Sequence, residues 1–141
     1  MTTAADIMHS GSHWIPADET LDRAAQLMRE HGVGALPVGD PMDENQRMVG
    51  IITDRDIVVN CVAAGHEPSH VTAGELCQGT PHWISSRASV QDVLREMEDN
   101  QIRRLPVIDE NRRFVGMISE ADLAHFLSED QLAKFVERVY S

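Results

Sequence analysis

Along the chain, apolar residues recur at helical spacing in two well-separated places. Leu21, Ala24, Ala25 and Met28 fall at i, i+3, i+4 and i+7, and Val90, Val93, Leu94 and Met97 do the same. That spacing places each set on one stripe of a helix. Thr20 and Ser89 stand just before the stripes as natural N-caps, and the pairs His31-Gly32 and Asn100-Gln101 mark the ends. After each helix a short apolar segment, "VGALPV" or "IRRLPV", predicts a strand. A polar turn rich in Asp, Glu and Asn then leads to a second strand, "MVGII" or "FVGMI". Thr53 and Ser119 open a further helix, carrying Ile57, Val58 and Cys61 in one case and Leu123, Phe126 and Leu127 in the other. With a first strand at the two "HWI" segments, each set reads β-α-β-β-α. A last stripe, Leu132, Phe135, Val136 and Val139, follows Ser128 and Gln131 in capping-box spacing and predicts an added amphipathic helix over 129–141.

The two sets are copies of one another. An offset of 69 superposes "TAADIM" on "TAGELC", His13-Trp14-Ile15 on His82-Trp83-Ile84, and Leu36-Pro37-Val38 on Leu105-Pro106-Val107. One turn is three residues longer than its counterpart, so the offset then becomes 66. With it Gly50 meets Gly116, Thr53 meets Ser119 and Asp56 meets Asp122. A match over some sixty residues with one change of loop length is a tandem repeat. The expected organisation is an α/β (α+β) fold with copy one at 1–64, a Gly- and Pro-broken linker at 65–71, copy two at 72–128 and the extra helix beyond. Each copy alone is too small to bury much core, so the two are expected to pack together.

Composition narrows the function classes. The 141 residues, 42% hydrophobic and 25% charged, suit a globular protein. No apolar run has the length of a membrane helix, and "MTTAADIMHS" lacks the features of a secretory signal, so a cytoplasmic protein is expected. Twelve basic against 23 acidic residues give a net charge of −11, which repels a phosphate backbone. Nucleic acid is therefore not an expected partner. Cys61 and Cys77 stand in no C-x-x-C arrangement and read as buried thiols in a reducing compartment. No nucleophile elbow, P-loop, dinucleotide fingerprint or zinc-hydrolase motif occurs, and no enzymatic activity is expected.

The duplicated order of "LPV" followed by Gly, two apolars, Thr or Ser, two variable residues, Asp and an apolar resembles a pair of cystathionine-β-synthase (CBS) domains, a Bateman module. The resemblance covers about residues 1–130. "MTTAADIM", "AAQLMREHGVGALPV" and "TDRDIV" resemble most the members tied to stress or hypoxic response. The resemblance implies two units packed about a pseudo-twofold, with clefts that bind AMP, ADP, ATP or S-adenosylmethionine, and a homodimer. No required cofactor is implied. It also implies a regulatory or sensor role, exerted on a protein partner.

Carried onto this chain, the family's ligand residues are Thr53 and Asp56 in copy one and Ser119 and Asp122 in copy two. The hydroxyls would reach phosphate and the carboxylates the ribose hydroxyls. Ile15, Ile84, Pro37 and Pro106 would flank the base. The chemistry suits the task, because a carboxylate accepts on both oxygens and a helix start favours phosphate. Arg103 and Arg104 offset Glu120 and Asp122, whereas Arg55 alone offsets Asp54 and Asp56, so copy two is the better phosphate candidate.

Each feature also has a plainer reading. T-x-x-D and S-x-x-D are capping-box spacings in their own right. Trp14 and Trp83 can stack on adenine, or serve packing or a dimer surface. His13 and His82 occupy equivalent positions and can pair around a metal, whereas Pro68 separates His66 from His70 on any helical face. The alternatives to a nucleotide sensor are thus a ligand-free stress-response interaction scaffold and a histidine-based metal-binding protein.

Overall fold

A computed structural model describes residues 2–10, 13–44, 46–77 and 82–140. The chain forms two compact units, and they do not follow the repeat boundaries. One unit comprises residues 13–81; the other combines 1–12 with 82–141. Each unit is thus built from the body of one copy and the leading segment of the other.

In the unit of residues 13–81, β1 (Ile15–Pro16) pairs parallel with β2 (Ala35–Gly39), which pairs antiparallel with β3 (Met48–Thr53). Between β1 and β2 runs α2 (Leu21–His31), whose Leu21, Ala24 and Met28 are buried, while Ala25 is exposed. Gly32 ends α2 in the left-handed conformation, at φ 63°, which glycine enters without a β-carbon clash. Thr20 does not cap α2 through its side chain; its hydroxyl bonds Asp22 instead and holds that carboxyl below its ordinary value.

After β3 the chain turns through α3 (Asp54–Asp56) into a π-helical stretch, Ile57–Val62. The N–H groups of Ala63 and His66 reach five residues back, to the carbonyls of Val58 and Cys61. Ile57 and Cys61 are buried, but Val58, placed in the apolar stripe by its sequence spacing, is 59% exposed. A single 3-10 turn, Pro68–His70, precedes α4 (Ala73–Leu76), whose Ala73 and Leu76 join the core around Leu21, Leu36, Ile52 and Cys61.

The other unit repeats the plan. The helix α1 (Ala4–Ile7) precedes a sheet of β4 (Ile84–Ser85), β5 (Arg104–Ile108) and β6 (Phe114–Ser119), with β4 parallel and β6 antiparallel to β5. Ser89 caps α5 (Val90–Asn100) by accepting from the Asp92 N–H at 3.1 Å. The helix α6 (Glu120–Phe126) follows β6, and α7 (Glu129–Tyr140) closes the chain. Phe135 and Val139 of α7 are buried with Ala4, Ile7, Val93, Met97 and Leu123, so the added helix completes the core of its own unit.

The leading segments dock by backbone as well as by apolar contact. His9 and Met117 exchange two backbone hydrogen bonds of 3.0 Å, which adds one antiparallel bridge beside β6. In the other unit the Ala73 and Gly74 N–H groups donate to the Glu19 and Ala17 carbonyls, each at 2.8 Å. Gly50 and Gly116, the repeated glycines, lie under these segments: Cys77 covers the first, and Met8 with the His9 carbonyl the second. A β-carbon would collide there, so the repeated glycine makes room for the exchanged segment.

Candidate functional site

Both Thr/Ser–Asp pairs sit where a strand runs straight into a helix, and both form reciprocal caps. In copy one the Thr53 N–H donates to Asp56 Oδ2 at 2.9 Å, and the Asp56 N–H donates to Thr53 Oγ1 at 3.1 Å. In copy two the Ser119 N–H and hydroxyl donate to Asp122 Oδ2 at 2.8 and 3.0 Å. The return bond, from the Asp122 N–H to Ser119 Oγ, is 3.5 Å long. The capping reading of these residues is thus met in full. The bonds that the two carboxylates accept within their caps all fall on Oδ2, which leaves Oδ1 outside the cap bonding.

Around these pairs the copies differ. In copy one the Asp54 N–H donates to the Gly34 carbonyl at 2.9 Å and the Arg55 N–H to Asp54 Oδ1 at 2.8 Å. The residue opposite Thr53 across the sheet is Ala35. In copy two the residue opposite Ser119 is Arg104, which is exposed; directly opposed residues share a face of the sheet, so the Arg104 side chain leaves its strand on the Ser119 side. Arg103 is bonded to the last helix but still feels the charge of Glu120, next to Ser119. Its guanidinium donates to the Tyr140 hydroxyl at 3.4 Å and lies 5.4 Å from the centre of that ring. Of the two arginines, Arg104 is the one the strand register brings to the pair.

The other residues named from the sequence divide similarly. Ile15 is fully buried and belongs to the core, while Ile84 is half-buried. Pro37 and Pro106 are buried opposite Ile51 and Met117. Trp14 packs over Gly39 in its own sheet, where a β-carbon would come within 2.9 Å of the ring. Trp83 is 37% exposed, with the Arg112 guanidinium 5.6 Å from its ring centre. His13 stacks on His31 with ring centroids 3.5 Å apart, and His82 Nδ1 lies 3.4 Å from Glu96 Oε1.

One residue that sequence reasoning passes over stands closest of all to the copy-two pair. His9, carried in by the exchanged segment, places Nδ1 2.6 Å from Asp122 Oδ2. The repeat aligns His9 with Gln78, which lies outside the described residues. Nothing in that alignment signals that His9 docks against the other copy. The cysteines are buried or half-buried, and burial, with the Asp56 charge second, pushes the Cys77 thiol up from its ordinary value. Among the described residues no helix is long and apolar enough to cross a membrane.

Duplicated sheets of this order, each with the same strand-to-helix Thr/Ser–Asp pair, are matched by one family profile. The CBS domain profile fits residues 4–62 and again residues 73–129. The chain belongs to the CBS-domain family. The full CBS pair is 45% identical to hypoxic response protein 1 of Mycobacterium tuberculosis over 141 residues, which is 100% of this chain and 96% of that protein. A crystal structure of hypoxic response protein I with two coordinated zinc ions matches at 47% identity and a TM-score of 0.79, covering 90% of this chain and 100% of that one. The CBS domain protein PAE2072 of Pyrobaculum aerophilum, complexed with AMP, shares the fold at 18% identity and a TM-score of 0.78, covering 96% of this chain and 99% of that one. CBS domains are regulatory modules, and this is the coarse function of the chain.

Proposed function

We propose that this CBS pair is a non-catalytic sensor that binds an adenosine nucleotide at the copy-two site. In this reading Asp122 takes the ribose hydroxyls, Ser119 and Arg104 lie at the phosphate, and Ile84 borders the base. The observation that carries the reading is the division of labour on Asp122. The bonds its carboxylate makes to Ser119 and His9 fall on Oδ2, so Oδ1 is available to a ligand without dismantling the helix start. Copy one has the same carboxylate arrangement but Ala35 in place of Arg104, and its occupancy by an anion is correspondingly weaker. The AMP complex of a protein with this fold agrees with the choice of ligand class. The sensor acts as a cytoplasmic homodimer, in a stress or hypoxic response, and reports to a protein partner.

Calorimetric titration with AMP tests this on Asp122→Asn. The amide oxygen of asparagine can still accept from Ser119, while its NH2 replaces the Oδ1 acceptor. The expected result is an affinity loss of about tenfold or more with little change in melting temperature, and a smaller loss in Asp56→Asn. Equal losses would mean two equivalent sites. No AMP binding by the unaltered protein would overturn the reading.

Zinc is the second reading, favoured by the two zinc ions of the relative at 47% identity. The described histidines fit it poorly within one chain. Among the described residues no group of three or more His, Cys, Asp or Glu converges. The His13 and His31 rings lie within 15° of parallel, so their nitrogen lone pairs run in near-parallel planes and do not meet on one ion. A thermal-shift series with zinc against AMP separates the two readings.

A further inference from the structure

His9 is fixed by its backbone and its ring at once. Its N–H and carbonyl bridge to Met117, and its Nδ1 meets Asp122 Oδ2 at 2.6 Å. The side chain of His9 is nevertheless 53% exposed, against 17% for Asp122, so the ring forms the open rim of the pair. We propose that His9 is a specificity residue of the copy-two site, whose protonation strengthens the capture of an anionic nucleotide beside Asp122. This rests on the reading of Asp122 as the ribose-binding carboxylate.

The argument is one of charge and donor count. An anion approaching Ser119 meets Glu120 and Asp122 on α6, with Asp6 on the segment that carries His9. On the positive side Arg104 stands opposite Ser119, and His125 lies in the last turn of α6. Arg87, in the loop that bonds α1, is tied to Glu110, and Arg103, bonded to Tyr140, is also set against Glu120, which leaves Asp6 and Asp122 against Arg104. The balance near the pair is acidic. A neutral His9 that donates Nδ1–H to Asp122 leaves Nε2 as an acceptor, which repels phosphate oxygens. Protonation converts Nε2 to a donor and places a positive charge against Asp122. An imidazole makes this change between about pH 5 and 8. Copy one has Gln78, an amide that carries no proton-dependent charge, in the equivalent sequence position.

The test is calorimetry with AMP and with adenosine at pH 6 and pH 8, on the unaltered protein and on His9→Gln. One linked proton can change affinity by at most about tenfold per pH unit. The unaltered protein is expected to bind AMP about five- to tenfold more tightly at pH 6 than His9→Gln predicts, and adenosine equally at both. Protonation of AMP itself affects both proteins alike and cancels in the comparison. The same pH dependence in both proteins overturns the role of His9 and leaves the Asp122 site standing. Failure of AMP to bind either protein at either pH overturns the site and this inference together. A measurement on the unaltered protein stands apart from any effect of His9→Gln on folding: calorimetry at pH 7 in buffers of different ionisation enthalpy should show more proton uptake with AMP than with adenosine, and equal uptake refutes the proposal.

Discussion

Cys77 lies across Gly50 so closely that a β-carbon on the glycine would fall 2.7 Å from the sulfur. At the equivalent position in the other copy Gly116 is covered by Met8 and by the His9 carbonyl, 2.9 Å from the same imagined carbon. Gly50→Ala and Gly116→Ala should therefore each be destabilising, by about 1–3 kcal/mol as overpacking usually is. Gly116→Ala should be the worse, because a backbone carbonyl yields less easily than a thiol. Urea midpoints measure both. Two alanine variants as stable as the parent would mean that the exchanged segments do not sit on the repeated glycines.

The capping hydroxyls make a second, independent test of the strand-to-helix junctions. Thr53→Ala removes the acceptor for the Asp56 N–H at 3.1 Å, and a loss of about 1 kcal/mol is expected without any ligand. Ser119→Ala removes a longer cap bond of 3.5 Å together with the 3.0 Å bond its hydroxyl donates to Asp122, whose carboxylate keeps the Ser119 N–H, and it should be milder if the cap sets the cost. Denaturant midpoints that reverse this order would show that the Ser119 hydroxyl matters chiefly through its bond to Asp122.

What the sequence makes legible is what short-range periodicity encodes. The stripes of α2 and α5, the Ser89 cap and the Thr53–Asp56 and Ser119–Asp122 pairs all lie within one or two helical turns, and each was readable from spacing alone. The exchange of leading segments was not. A four-residue helix with Ala4 and Ile7 as its apolar pair carries no record of which sheet it covers. His9 carries no such record either, since its partner is 113 positions away. The π-helical winding after Asp56 turned Val58 outward against its spacing. Arg103 and Arg104 are adjacent in sequence, and only the strand register with the position of Tyr140 separates their roles.

Cys77 offers a chemical readout of the copy-one carboxylate. Burial raises its thiol first and the Asp56 charge raises it further, so the thiolate is scarcer at neutral pH than in a free cysteine. Alkylation by iodoacetamide should be slow, with its rise displaced to more alkaline pH. Asp56→Asn removes the second cause and should move the profile part of the way back. Cys61 is fully buried and should stay unmodified in the native protein. Peptide mass spectrometry over a pH series follows each thiol. Reaction of Cys77 at the free-thiol rate, or no response to Asp56→Asn, would sink the assignment.

The last helix places two neighbours in opposite surroundings. Phe135 is 1% exposed among the side chains of α1, α5 and α6, whereas Val136 is 38% exposed. Removing the Phe135 ring leaves a cavity in the core, and such truncations usually destabilise by about 3–5 kcal/mol. Val136→Ala removes atoms that already meet water and should stay within roughly 0.5 kcal/mol. Arg138 bridges to Glu98 at 3.2 Å across α5, which holds the helix down but, at a partly exposed site, adds little by itself. Deletion of 129–141 should therefore lower stability through Phe135 and Val139 rather than through its charges. Thermal melts of Phe135→Ala, Val136→Ala and Arg138→Ala order these contributions. If Val136→Ala proved as damaging as Phe135→Ala, the exposed side of the helix would be covered in solution, and concentration-dependent melting would then identify a second copy of the chain as the cover.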